Sequence, residues 1–255
     1  MNRIDSALQN KSNLLSIYFT AGYPNLNDTE KIIVGLKNAG VDMIEIGLPF
    51  SDPLADGPVI QASGTQALAN GMSTDVLFTQ LKNIREKVTI PLLIMGYFNP
   101  MLQYGVEKFC AQCQAIGIDG LIIPDLPVEI YETEYKALFE KYGLYNIFLI
   151  TPQTSEQRIK YIDAISKGFI YMVSSNSTTG STHSVSDQSE AYFKRIANYK
   201  LSNPQIVGFG IHDQASFQKA TQHQKGAIIG TDFIKYITKN GIDALEKYVV
   251  KFNRK

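Results

Sequence analysis

Short runs of successive apolar, β-branched-rich residues alternate with longer stretches in which apolar residues recur at helical spacing, from one end of the chain to the other. The runs Leu14–Phe19, Asp42–Ile46, Pro91–Met95, Gly120–Ile123, Ile147–Ile150, Phe169–Val173, Ile206–Phe209 and Ala227–Ile229 predict strands. Most are apolar at consecutive positions, which predicts burial on both faces, as in parallel strands covered by helices. Between them, Asp28–Ala39 behind an Asn27 cap, Asp75–Glu86, Val106–Ile116, Glu129–Tyr142, Glu156–Ser166, Glu190–Asn198 and Gln214–His223 predict helices. Ala244–Phe252 predicts a closing one. About eight strand–helix units in 255 residues have the size and rhythm of a TIM (β/α)8 barrel in a single α/β domain. A doubly wound open sheet is the alternative, but Thr20-Ala21-Gly22-Tyr23-Pro24 stands where its G-x-G-x-x-G would follow the first strand.

Composition narrows the functional classes. Hydrophobic residues make up 44% and charged residues 19%, enough for a packed core. Lysine plus arginine equals aspartate plus glutamate at 24 each, so there is no charge footprint for nucleic acid or an anionic membrane. No apolar run approaches the roughly 20 residues of a membrane span, and Met1–Asn10 lacks the apolar core of a secretory signal, so a cytoplasmic location is expected. Cys110 and Cys113 form a C-x-x-C, but they lie inside a helical segment beside Phe109 and Ile116, which reads as core packing more than as a redox pair. His183, His212 and His223 have no ligand spacing, and no metal site is expected.

The chemistry concentrates at the end of the second strand and in its loop, Ile44 to Pro58. Strand alternation puts Glu45 on the face of Val41 and Met43, pointing into the barrel mouth. A carboxyl among apolar neighbours resists ionisation and so reaches the range where it can donate and accept a proton. The bland alternative is a strand-end glutamate paired with a lysine. Pro49, Pro53 and Pro58 stiffen a loop that carries Asp52 and Asp56, and Asp56, eleven residues after Glu45, can present a second carboxylate over the same pocket. A calcium loop is excluded by the missing D-x-D-x-D-G order.

Two glycine-bearing turns come late: Gly208-Phe209-Gly210 after the seventh predicted strand, and Gly230-Thr231 after the eighth. Barrels bind phosphate with these two loops and a helix N-terminus, so both point to an anionic substrate group. The Ser/Thr-rich stretch Ser174–Ser184 follows the sixth strand and reads either as a solvated linker or as a lid over the site.

These residues carry a resemblance. Pro49-Phe50-Ser51-Asp52-Pro53-Leu54-Ala55-Asp56-Gly57-Pro58 matches residue for residue the signature of the tryptophan synthase α-subunit family, and Glu45 stands at its catalytic glutamate. The similarity runs on through Thr20, Gly22, Pro124-Asp125-Leu126-Pro127-Val128-Glu129, Tyr171, Gly208-Phe209-Gly210 and Gly230-Thr231. It implies a TIM-barrel lyase that cleaves indole-3-glycerol phosphate to indole and glyceraldehyde 3-phosphate, with Glu45, Asp56 and Tyr171 at the reacting atoms. It further implies phosphate binding by Gly180, Gly208, Gly210, Gly230 and Thr231, an indole pocket walled by Ile60, Tyr97 and Phe209, and Asp52 at a partner interface. The implied partner is a pyridoxal-phosphate-bearing β subunit in an α2β2 heterotetramer, this chain needing no cofactor of its own. Two positions depart from the family: Ser177 replaces the first glycine of the usual G-V-T-G, and Tyr23 stands where relatives often carry Asp. A regulatory subunit that has lost its chemistry is disfavoured by the retention of Glu45 and Asp56. A phosphosugar isomerase is disfavoured by Tyr18 and Thr20, where it would need an acid or cysteine, and an epimerase by the missing metal ligands.

Overall fold

The computed structural model describes residues 1–173, 187–208 and 210–252. Its strands are β1 (Leu14–Thr20), β2 (Met43–Gly47), β3 (Leu92–Met95), β4 (Gly120–Ile122), β5 (Tyr145–Ile147), β6 (Leu149–Ile150), β7 (Ile170–Val173), β8 (Gln205–Gly208) and β9 (Gly226–Ile229). Neighbouring strands pair in parallel in the order β5-β4-β3-β2-β1-β9-β8-β7-β6. The two ends of that order are consecutive in the chain, separated only by Phe148, so the sheet returns on itself as a barrel. Ile147–Ile150, expected as one strand, is therefore divided at Phe148, whose carbonyl accepts a hydrogen bond from the Tyr171 N–H at 2.9 Å.

Alternation along β1 separates two cores. Leu14 and Tyr18 join Met43, Leu93 and Tyr171 inside the barrel. Leu15, Ile17 and Phe19 face the covering helices together with Ile44 and Ile46. Every residue of β1 and β2 is buried, which is why these strands read as continuous apolar runs.

Helix Arg3–Asn10 lies outside the expected elements. Its apolar residues Ile4, Ala7 and Leu8, at helical spacing, join the barrel-interior cluster. Gly120 and Gly168 give Ile4 its seat, since a Cβ at either would lie 3.1 Å from the Ile4 side chain. Asp119 accepts hydrogen bonds from Arg3 through its carboxylate (2.9 Å) and from the Asn2 amide through its carbonyl (2.8 Å), and the Tyr145 hydroxyl donates to Asp5 at 2.7 Å. The helix thus fills the N-terminal end of the barrel and leaves chemistry to the C-terminal ends of the strands, the usual catalytic face of this fold.

Other differences are local. Helix Thr29–Asn38 has Asp28, not Asn27, at its N-cap. Pro58 does not merely stiffen a loop; it opens helix Pro58–Ala69, where a missing N–H costs nothing. Glu129–Tyr142 divides into Val128–Ile130, a π turn at Tyr131–Tyr135 and Lys136–Lys141. Helices Phe98–Tyr104 and Thr231–Asn240 are additional. Cys110 and Cys113 are buried free thiols on helix Val106–Ile116, and burial pushes Cys110 up to about 12, so they pack and do not react. Among the described residues, no helix is long and apolar enough to cross a membrane, and no group of His, Cys, Asp and Glu is arranged to hold a metal ion.

Candidate active site

Glu45 points into the barrel and is fully buried. Among the described residues no lysine pairs with it: its carboxyl partner is Ser16, whose hydroxyl donates to Oε1 at 2.9 Å. Oε2 is equally buried and has no hydrogen-bond partner among the described residues. Loss of hydration raises the pKa to about 8, against the lowering effect of the Ser16 hydrogen bond. Glu45 is therefore a neutral acid at pH 7 that ionises within reach of neutrality.

Two tyrosines flank it. Tyr18 is the register partner of Glu45 across β1 and β2, and Tyr171 lies on β7. Burial pushes both phenols far above their ordinary pKa. The Asp56 charge adds most after burial at Tyr18, and the Glu45 charge does so at Tyr171. Both hydroxyls therefore stay protonated through the working range of the carboxyls. Glycines make room for them: a Cβ on Gly47 would stand 2.3 Å from the Tyr18 hydroxyl oxygen, and one on Gly208 would stand 2.1 Å from that of Tyr171. Gly208, expected at a phosphate, thus also seats the Tyr171 ring at the end of β8. Gly208→Ala is expected to force that ring aside, lowering kcat by about 10²-fold through misplacement. Overpacking of about 1–3 kcal/mol should lower Tm by at least about 2–4 °C in a domain of this size. Thermal unfolding and turnover of the same preparation check both, and wild-type values in both would remove the ring from the site.

The second carboxylate arrives on the loop between β2 and helix Pro58–Ala69. The loop is folded on itself by Leu54 N–H to Asp52 carbonyl (2.9 Å) and Asp56 N–H to Pro53 carbonyl (3.0 Å). Tyr97 fastens it, accepting from the Ala55 N–H at 2.9 Å and donating to Asp56 Oδ2 at 3.1 Å, while its ring packs 5.3 Å from that of Phe50. Burial raises Asp56 to about 6, offset in part by the Tyr97 hydrogen bond. Ile60, on the first turn of the following helix, joins the same interior cluster. Asp52 and Leu54 are exposed at the loop's outer edge, Leu54 to 88%.

The two glycine-bearing turns expected at the phosphate follow β8 and β9. Gly210 has φ 72°, which glycine alone adopts without strain. Gly230 is the N-cap of helix Thr231–Asn240 and makes no side-chain cap, so the first-turn N–H groups lack that acceptor. The preceding helix, Gln214–Thr221, is by contrast closed by a capping box of Asp213 and Ser216. Asp232, a like charge in the first turn of the Thr231 helix, accepts from the Tyr248 hydroxyl at 2.8 Å and pairs with Lys251. Gly180, Phe209 and the Ser174–Ser184 stretch lie outside the described residues. Ser16 and Gly47 are not among the residues expected from sequence, and Tyr18 enters there only as a position that lacks an isomerase's acid or cysteine. A lone serine between Leu14 and Tyr18 on one strand face is the signal that could have found the first.

The sequence model described as "Tryptophan synthase alpha chain" matches residues 4–254. The chain belongs to the tryptophan synthase alpha chain family. Alpha chains from Flavobacterium johnsoniae and Christiangramia forsetii are each 65% identical to it, over 98% of both chains in each pair. Among solved structures, tryptophan synthase subunit alpha from Legionella pneumophila aligns with a TM-score of 0.89 at 32% identity, over 99% of this chain and 97% of that one. Tryptophan synthase from M. tuberculosis, in an aminoacrylate-bound form, aligns with a TM-score of 0.86 at 26% identity, over 99% and 98%.

Proposed function

We propose that this member of the tryptophan synthase alpha chain family cleaves indole-3-glycerol phosphate to indole and glyceraldehyde 3-phosphate within one catalytic barrel domain. The observation that carries the reading is a pair of carboxyls whose charges both reach Tyr18 and Tyr171 and whose surroundings set them apart, Glu45 at about 8 and Asp56 at about 6. At pH 7 the first is an acid and the second a base. Protonated Glu45 delivers its proton to indole C3, while Asp56 accepts the hydrogen bond, and as needed the proton, of the ring N–H. The glycerol hydroxyl next to C3 then gives its proton to the Glu45 carboxylate. The carbon–carbon bond breaks, its electron pair returns to the indole ring, and the hydroxyl carbon leaves as an aldehyde. Glu45 ends protonated, ready for the next cycle. Tyr171 lies beside the breaking bond, and Ile60, Tyr97 and Phe209 wall the ring.

Gly180, Gly208, Gly210, Gly230 and Thr231 bind the phosphate, a role supported by the glycine turn at Gly210 and the uncapped start of helix Thr231–Asn240. The partner is a β subunit, in an α2β2 assembly that carries pyridoxal phosphate on β and none on this chain. Exposed Asp52 and Leu54 suit its docking, and Asp56 lies four residues beyond Asp52 on the same loop, so a grip on that edge reaches the site. Such an enzyme works in the cytoplasm. The test is spectroscopic detection of indole and glyceraldehyde 3-phosphate from indole-3-glycerol phosphate, with and without the β subunit from the same source. One-to-one products, formed faster with β, support the reading; no indole under either condition rejects it.

A further inference from the structure

We propose that Ser16 is a positioning residue for Glu45, holding Oε1 so that the proton to be transferred sits on Oε2 and faces the reacting carbon. The proposal rests on the reading of Glu45 as the acid. β1 and β2 run parallel with Ser16 opposite Met43 and Tyr18 opposite Glu45, so Ser16 reaches the carboxyl from two residues toward the barrel's N-terminal end. Ser16 is 1% exposed, Glu45 is fully buried, and their oxygens lie 2.9 Å apart.

The inward neighbours of Ser16 on its own strand are Leu14 and Tyr18, and Leu93 stands opposite Glu45 on β3. In that setting a serine hydroxyl has a specific consequence. When it donates to Oε1, that oxygen is occupied as an acceptor, and a neutral carboxyl keeps its own proton on the other oxygen. The other oxygen is Oε2, buried and without a partner among the described residues, which is the state expected of an atom whose partner is substrate. The ionisable groups that the Glu45 charge reaches are the phenols of Tyr18 on β1 and Tyr171 on β7, and both of these also feel Asp56 on the loop after β2. Burial disfavours the charged form of Glu45 and the Ser16 hydrogen bond favours it, so the Ser16 hydroxyl supports the carboxylate between the two proton transfers. It also keeps the carboxyl from rotating after the first transfer, so that the oxygen that gave the proton is the one that receives the next.

The experiment measures kcat and KM for indole-3-glycerol phosphate against pH in wild type, Ser16→Ala, Ser16→Cys and Glu45→Gln, each with the β subunit and with circular dichroism on every preparation. Ser16→Ala is expected to lower kcat by roughly 10- to 100-fold. KM should stay within about twofold, since uniform substrate binding is untouched. Loss of a hydrogen bond to the charged form should move the alkaline limb of kcat upward by about one pH unit. Ser16→Cys keeps the size with a weaker donor and is expected to fall between, moving the limb in the same direction. It decides the matter alone if the alanine variant fails to fold. A folded variant with wild-type kcat and an unmoved limb overturns the proposal. If Glu45→Gln is itself active, the reading of Glu45 fails instead, so the two failures are told apart.

Discussion

Glu45→Gln is expected to lower kcat for indole release by about 10²–10⁴-fold, the range that one general acid–base group contributes. Glutamine keeps the shape and can still accept from Ser16, but it has no proton to give to C3 and no basicity to take the hydroxyl proton. The same substitution is expected to raise stability at alkaline pH. In the wild type the unfolded carboxyl releases its proton near its ordinary value of 4.5, while the folded one retains it to about 8. The folded state therefore binds more protons across that window, and wild-type stability contributed by Glu45 is complete below 4.5 and lost as pH rises toward 8. The amide carries no such dependence. The Tm of Glu45→Gln relative to wild type should thus be higher at pH 8.5 than at pH 5. Turnover within a few-fold of wild type, or a Tm difference independent of pH, would remove Glu45 from its role or from its buried environment.

Asp56→Asn is expected to cost about 10²–10³-fold in kcat, comparable to deleting one preorganised group aimed at transition-state charge. Asparagine can still accept the Tyr97 hydrogen bond, so the loop should stay fastened and KM should change far less than kcat. What is lost is a negative charge at the ring nitrogen just when protonation at C3 makes that nitrogen electron-poor. Steady-state kinetics with the β subunit checks the split. A large rise in KM with kcat preserved would make Asp56 a binding residue only.

The barrel was legible because its strands are buried on both faces. Ile44 and Ile46 are needed by the helices as much as Met43 is by the interior, so the run is apolar throughout, and Glu45 stands out as the exception. Alternation put Glu45 on the face of Met43, which packs inside the barrel, whereas Val41, expected on that face too, precedes β2 and packs with the helix-facing core. The N-terminal helix was harder to see: only Ile4, Ala7 and Leu8 of its eight residues are buried, and the rest is polar. The π turn at Tyr131 and the break at Phe148 are local backbone adjustments that periodicity does not encode. Ser16 and Gly47 were missed for a different reason. Their significance is pairwise, one completing a carboxyl on the neighbouring strand and the other vacating space for a ring, and neither pairing exists until β1 and β2 are in register. At Gly208 the space a side chain would need is taken by the Tyr171 ring, a pairing that the expectation of a phosphate there did not contain.

The division of acid and base work between Glu45 and Asp56 is tested most directly by the pH dependence of kcat for indole-3-glycerol phosphate cleavage, measured with saturating substrate and β subunit. Saturation matters because the substrate phosphate, with a second pKa of about 6, also titrates when free. The profile is expected to be bell-shaped, rising as Asp56 ionises near 6 and falling as Glu45 loses its proton above about 8. In Glu45→Gln the residual activity should keep the rise and lose the fall. A wild-type kcat that stays level from pH 7 to pH 10, or an alkaline fall that persists unchanged in Glu45→Gln, would contradict the assignment of Glu45 as the acid.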